Sequence, residues 1–130
     1  MVPQITILFV GLMALIQIPM TFAVGLYRVK TDIHFLDGGN VEMLRRMRAH
    51  GNFTETVPIT LLAMAAAELS GAPAFLLWTG GALLVAGRLL HYATIRRYGW
   101  AIGRAIAMAM TFLAMAAFAL YAAAAGLGLI

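Results

Sequence analysis

The chain of 130 residues contains no cysteine and few charged side chains. Without cysteine it has no disulfide, no thiolate metal ligand and no cysteine nucleophile, so any thiol chemistry needs a thiol supplied by a ligand. Charged residues make up 11% of the chain and hydrophobic residues 63%, whereas a soluble domain has about 25% and about 45–50%. This composition excludes an ordinary soluble domain and predicts an integral membrane protein.

Basic residues are also missing ahead of the first apolar run, which is long enough to cross a bilayer. We therefore expect a membrane span there and not a cleaved signal. Four apolar segments follow one another, at residues 5–27, 53–69, 74–94 and 105–127. Strands in lipid would leave backbone groups unpaired, so these segments are predicted to be helices. The expected fold is an all-α, integral membrane four-helix bundle, with residues 1–130 forming a single domain.

Lysine and arginine are absent from one side of this arrangement, the side with both termini and the Ser70–Pro73 turn. Apart from Arg88, they lie in or beside the first and third connections: Arg28, Lys30, Arg45, Arg46, Arg48, Arg96, Arg97 and Arg104. The positive-inside rule predicts that these connections are cytoplasmic and both termini outside. The net charge of +4 is then explained by orientation and by attraction of anionic ligands or lipids, so no nucleic-acid partner is expected.

The first connection contains a turn, Asp37-Gly38-Gly39-Asn40. Asn40 is a good N-cap for a helix that begins near Val41. Glu42 would lie in the first turn, where a carboxylate suits the helix dipole. At the other end of this helix, Glu68 is expected to snorkel to the interface or to cap the turn that follows.

The second apolar segment is entered by polar residues. At about 100° per residue, Arg48, Asn52 and Glu55 fall on one narrow face of a helix that leads from the basic connection into the bilayer. Charged residues within a span are costly and mark a partner or a function. His50 has no second ligand at metal spacing beside it, so no metal site is expected.

The third segment has a second polar face, formed by Arg88, His91 and Tyr92. Arg88 is the deepest of these, and a guanidinium does not lose its proton, so it needs an acceptor. Glu55 lies at a similar depth and is the expected partner. The resulting ion pair would either fix helix packing or take part in ligand binding.

These side chains predict a cleft for a small polar ligand. Arginines bind carboxylates through paired hydrogen bonds, and Glu55 would receive a cationic group. The ligand is therefore expected to be mainly anionic, with at least one cationic group. An apolar second ligand would reach the same cleft from the lipid.

The segment RMRAHGNFTETVP resembles the signature Arg-x-x-x-Asn-x-x-Glu-x-x-Pro of the MAPEG family, the membrane-associated proteins in eicosanoid and glutathione metabolism. The matching positions are Arg48, Asn52, Glu55 and Pro58. GRLLH, from Gly87 to His91, is similar to the motif of the family's third span. Arg28 and Arg104 match basic residues at the end of the first span and the start of the fourth. The second-span motif is most similar to that of bacterial inner-membrane members.

The resemblance implies a homotrimer in the bacterial inner membrane, with glutathione bound as co-substrate in a cleft between subunits. Arg104 would be catalytic and stabilise the thiolate, which would attack a lipophilic small molecule dissolved in the bilayer. The resemblance implies the following residues for glutathione binding: Arg28, Arg48, Asn52, Glu55, Arg88, His91 and Tyr92. The implied activity is that of a glutathione transferase, with peroxidase activity as a variant.

Three positions depart from characterised members of the family: Thr56 and Ile95 replace tyrosines and Ala105 replaces a serine. They argue against a dedicated prostaglandin isomerase, and Tyr92 or Tyr98 would have to substitute for the missing tyrosine.

One alternative is a non-catalytic scaffold of the same family that binds a lipid or another ligand. A different small thiol would also fit the cleft. A small four-span drug exporter is disfavoured, because its first span should contain an acid and this one has only Gln17 and Thr21 as polar groups.

Overall fold

The structure, a computed structural model, describes residues 2–130 and consists of four long helices joined by short connections. The helices are α1 (Gln4–Thr31), α2 (Val41–Leu69), α3 (Ala74–Tyr98) and α4 (Ile102–Gly126). The all-α, four-helix prediction is confirmed, and all four helices correspond to the apolar segments found in the sequence.

Helices α1, α3 and α4 are long and apolar enough to cross a membrane. Helix α2 has 29 residues, but its first two turns are rich in charged side chains, and it does not meet the same criterion. The composition thus identifies three spans, and a fourth crossing by α2 stays a prediction. Large apolar side chains such as Leu15, Phe22, Leu113 and Leu120 are exposed on the outer faces of the bundle, as lipid contact requires.

Local sequence signals define the ends of α2. Gly38 and Gly39 have positive φ angles of 57° and 72°, and the side chain of Asn40 accepts a hydrogen bond of 3.0 Å from the amide of Met43. This confirms Asn40 as the N-cap. At the other end, the Glu68 carboxylate accepts hydrogen bonds from the amides of Ile5 and Thr6. Glu68 therefore caps the first turn of α1, and not the turn that follows it.

Helices α2 and α3 form the centre of the bundle, because each of them contacts all three other helices. Within the described residues, α1 and α4 do not pack against each other. Two adjacent glycines let aromatic rings enter this centre. A Cβ atom at Gly80 would collide with the ring of Phe118, and one at Gly81 with the ring of Phe9. Both rings are buried in the core.

Candidate functional site

A basic cavity of about 330 Å³ lies where α2, α3 and α4 meet at the end of the bundle that carries the basic connections. Arg45 and Arg48 of α2 line it from one side and Arg104 of α4 from the other. Its remaining lining residues are Val41, Leu44, Ile95, Tyr98, Gly99 and Trp100. The fold therefore brings together Arg48 and Arg104, two of the site residues predicted from the sequence, which are far apart in the chain.

The arginines of this basic cavity are not neutralised by carboxylates of the chain. Within residues 2–130, the ion pairs formed by carboxylates go to His34, Arg46 and Arg96. Helix α4 also begins beside the cavity, with no acidic residue in its first turn and no side-chain cap. Its free amides and helix dipole add to the positive potential. The cavity is therefore suited to bind an anion.

Glu42 pairs with two other arginines at this end of the bundle, which are therefore not available to bind a ligand. Its carboxylate pairs with Arg46 at 2.9 Å and also with Arg96 of α3, while Arg46 donates to the carbonyl of Ala23 in α1. Partial burial acts to raise the pKa of Glu42. The hydrogen bonds and charges of Arg96 and Arg46 outweigh it, and the pKa lies below its ordinary value of 4.5. Glu42 thus joins three helices and leaves the cavity arginines unpaired.

Arg88 lies at a separate place inside the bundle, with 2% of its surface exposed. Its Nη1 atom donates to Asn52 Oδ1 at 2.7 Å and to Thr56 Oγ1 at 3.1 Å. Its Nη2 atom reaches the carbonyl oxygen of Ala107 and the sulfur of Met108, both at 3.4 Å. Arg88 therefore links α3 to α2 and α4 through neutral acceptors.

The expected ion pair between Arg88 and Glu55 is not formed, and that prediction was wrong. Asn52 and Thr56 are one turn apart and both accept hydrogen bonds from Arg88, whereas Glu55 is exposed and forms no ion pair with it. Adjacent residues on a helix are about 100° apart around its axis, so Glu55 and Thr56 do not face the same neighbouring helix. A similar depth in the membrane was therefore not sufficient evidence for contact.

The remaining predicted site residues do not line the basic cavity. His91 is 2% exposed, and its Nε2 atom has no hydrogen-bond partner among the described residues. Tyr92 lines an apolar cavity of about 350 Å³ between α1 and α3, together with Arg88. Arg28 donates to the carbonyls of Ile33, His34 and Leu36, so it orders the first connection. Of the two tyrosines considered as substitutes, Tyr98 lines the basic cavity.

Sequence reasoning missed the roles of Arg45 and Thr56. The sequence indicates a role for Arg45 in orientation or at the lipid headgroups, yet this residue lines the basic cavity. Its position three residues before Arg48 was the available signal, since residues at this spacing are neighbours on a helix. Thr56 stands out in the sequence only as a departure from the family pattern, yet its hydroxyl accepts a hydrogen bond from Arg88. Its position one turn after Asn52 would have indicated this.

The fold and the cavity define a helical integral membrane protein with a basic pocket at one end. The sequence comparisons narrow this class further. The MAPEG family profile matches residues 6–124, and the chain belongs to this family. It is 34% identical over 89 residues to Inner membrane protein YecN of Escherichia coli strain K12, with 68% of each chain covered. The protein of the same name from an Escherichia coli O6:H1 strain matches to the same extent.

Proposed function

We propose that the protein binds glutathione and conjugates its thiolate to lipophilic electrophiles, as a homotrimer in the bacterial inner membrane. The observation that carries this proposal is that Arg48 and Arg104, from different helices, line one basic cavity without a carboxylate partner. Glutathione has two carboxylates, one ammonium group and a thiol, and the family includes glutathione-associated members. The lipophilic substrate would reach the cavity from the bilayer.

Arg104 is the proposed catalytic residue. A guanidinium near a thiol favours the charged form and lowers the thiol pKa. The glutathione thiol loses its proton to water, and the sulfur forms a bond to an electrophilic carbon of the second substrate. That carbon releases its leaving group with the bonding electron pair, so the reaction needs no oxidant or reductant.

The exposed residues of α2 support a subunit interface. Glu55 is exposed although it lies within the predicted span, and it forms no ion pair within the described residues. A carboxylate facing lipid is costly. A neighbouring subunit or the ammonium group of glutathione would cover it. Glu55, His91 and Tyr92 do not line the basic cavity of one subunit, which is compatible with a cleft that a second subunit completes.

The test is calorimetric titration of glutathione into the detergent-purified protein and its Arg48→Ala variant. We expect binding to the parent protein and at least tenfold weaker binding to the variant, because a charge-assisted hydrogen bond contributes about 1.5–3 kcal/mol. Lys30→Ala is the matched control, since Lys30 is an exposed cation at the same end that does not line the cavity. Absence of binding to a well-folded oligomer would refute the proposal and direct the search to other small thiols.

A second candidate function is a non-catalytic scaffold that binds a lipid or another ligand. The observation in its favour is that Asn52 and Arg88 are engaged with each other and not with the cavity. The two functions differ at Arg104. A transferase should form the thiolate of bound glutathione, visible in its ultraviolet absorbance, and lose it in Arg104→Ala, whereas a scaffold should show no thiolate in either protein.

A further inference from the structure

Arg45 adds a third cation to the basic cavity, beyond the two arginines assigned to the thiol ligand. Its guanidinium lies against the backbone of Gly99, where a Cβ atom would approach Arg45 Nε to 3.0 Å. The cavity thus contains three arginines around about 330 Å³, with the uncapped start of α4 beside it. A group with several negatively charged oxygens, such as a phosphate, matches this arrangement.

The mouth of the cavity has the features of a membrane interface. Trp100 is 78% exposed and Tyr98 is 60% exposed, and both line the cavity. Tryptophan and tyrosine are enriched at the level of lipid headgroups. Exposed aromatic rings next to arginines therefore place the cavity where the headgroups of the surrounding leaflet lie.

A second cavity continues from the first along α4. It has about 160 Å³ and is lined by Trp100, Ala101, Arg104, Ala105 and Met108. Trp100 and Arg104 line both cavities, so the basic cavity and the start of an apolar path along α4 adjoin. This order, charge first and then apolar surface, is the order of a phospholipid headgroup and its acyl chain.

We propose that the basic cavity binds the phosphate of an anionic phospholipid, with an acyl chain running past Ala105 and Met108. Arg45, Arg48 and Arg104 would contact the phosphate, and Trp100 would pack against the glycerol and upper chain. The lipid site does not require glutathione binding. Since Arg48 and Arg104 also belong to the proposed glutathione site, the lipid and glutathione would compete where both bind.

Trp100 provides a direct test. The chain has two tryptophans, and Trp78 lies near the other end of the bundle, at the start of α3. A Trp78→Phe protein therefore reports Trp100 fluorescence alone. It would be reconstituted in phosphatidylcholine bilayers that contain brominated phosphatidylglycerol or brominated phosphatidylcholine at the same mole fraction, and quenching would be compared.

We expect phosphatidylglycerol to quench Trp100 more strongly than phosphatidylcholine does. Adding Arg45→Gln should reduce the relative association of phosphatidylglycerol by about fivefold, the effect of one interfacial arginine. Lys30→Gln, which removes a cation outside the cavity, should leave the relative association of phosphatidylglycerol unchanged. Circular dichroism and gel filtration would establish that each variant is folded.

Equal quenching by the two lipids would overturn the proposal, and so would equal losses in the Arg45 and Lys30 variants. Inorganic phosphate distinguishes a lipid from a soluble source of the same chemistry. If inorganic phosphate binds the detergent-purified protein in calorimetry, while brominated phosphatidylglycerol quenches Trp100 no more strongly than brominated phosphatidylcholine, the cavity is a free-phosphate site and the lipid proposal fails. Glutathione added to the bilayer sample tests the competition separately, because relief of the quenching by glutathione requires both ligands to bind.

Discussion

The guanidinium of Arg88 donates a hydrogen bond of 2.7 Å to the side-chain oxygen of Asn52, which lies 36 residues earlier in the chain. This contact joins the two central helices of the bundle. The same Nη1 atom also reaches Thr56, whose own hydroxyl donates to the carbonyl of Asn52 at 2.8 Å. Arg88, Asn52 and Thr56 therefore form one connected network inside the bundle.

Replacing Asn52 with alanine should destabilise the protein. The buried Arg88 charge would lose its shortest hydrogen bond, and an unsatisfied buried polar group costs about 1–3 kcal/mol, with more for a charged group. We expect a loss of at least about 2 kcal/mol in the free energy of unfolding, measured by denaturant titration in detergent.

Glu55→Gln is the matched control for Asn52→Ala. Glu55 lies on the same helix but is exposed and makes no contact with Arg88 in the described structure. Its substitution should change the stability of the isolated subunit by less than about 0.5 kcal/mol, as is usual for surface substitutions. Equal destabilisation by both variants would contradict the importance of the network.

Arg104→Ala should lower the rate of glutathione conjugation by at least about tenfold while the bundle stays folded. Arg104 lines the basic cavity near the start of α4, and no structural hydrogen bond from its side chain is found among the described residues. Loss of thiolate stabilisation by one pKa unit corresponds to about 1.4 kcal/mol. At neutral pH this alone would lower the thiolate fraction about tenfold, measurable as the rate with a lipophilic electrophile.

Arg88→Ala provides the contrast to Arg104→Ala. Because Arg88 is buried and bonded to two other helices, its removal should lower the unfolding temperature as well as the activity. If both variants lose stability equally, the division between a packing arginine and a catalytic arginine is wrong.

Glu68→Ala should weaken the attachment of α1 to α2. The Glu68 carboxylate accepts three hydrogen bonds from α1, including one of 2.6 Å from the Thr6 hydroxyl. Loss of a helix cap costs about 0.5–2 kcal/mol. We expect a loss in this range in the free energy of unfolding. Glu68→Gln keeps an acceptor oxygen and should recover part of the loss, and full loss in both variants would show that the charge alone matters.

Acidification should destabilise the protein, because protonation of Glu42 removes its ion pairs with Arg46 and Arg96. Its folded pKa lies below its ordinary value of 4.5, so its ion pairs contribute stability above that value and lose it as the pH falls through the folded pKa. The unfolding temperature should therefore fall on acidification below about pH 4.5. Glu42→Gln should be less stable at neutral pH and show a smaller fall. An identical pH dependence in both proteins would exclude Glu42 as a source.

Helix positions followed from the sequence because apolar length and local caps determine them. The Asp37–Asn40 turn predicted the start of α2 at Val41, and the Ser70–Pro73 turn predicted the start of α3 near Ala74. These signals depend on neighbours in the chain. The convergence of Arg48 and Arg104 in one cavity could not be predicted from periodicity, because periodicity places residues on a helix but does not place helices against each other.

Contacts between helices were less predictable. Helical periodicity placed Glu55 on one face with Arg48 and Asn52, but only Asn52 turns towards Arg88. Helix rotation decides which edge of a polar face meets the neighbouring helix, and the bulky residues of the core determine that rotation. For the same reason local sequence signals place Glu68 at its own turn, whereas packing brings it to the amides of α1.

Gly99→Ala should lower stability and weaken ligand binding in the basic cavity, although Gly99 lies outside the predicted motif. Gly99 ends α3 with a φ angle of 75°, a conformation that costs a residue with a side chain about 1–3 kcal/mol. A Cβ atom would also come within 3.0 Å of Arg45 Nε, so the guanidinium would have to move. We expect a loss of stability in that range together with weaker binding of anionic ligands, measured by thermal unfolding and calorimetry. Gly71→Ala, which has a φ angle of 88° but open space around it, controls for backbone strain alone. It should lower stability without changing ligand binding, and weakened binding in both variants would show that strain, and not the displacement of Arg45, is responsible.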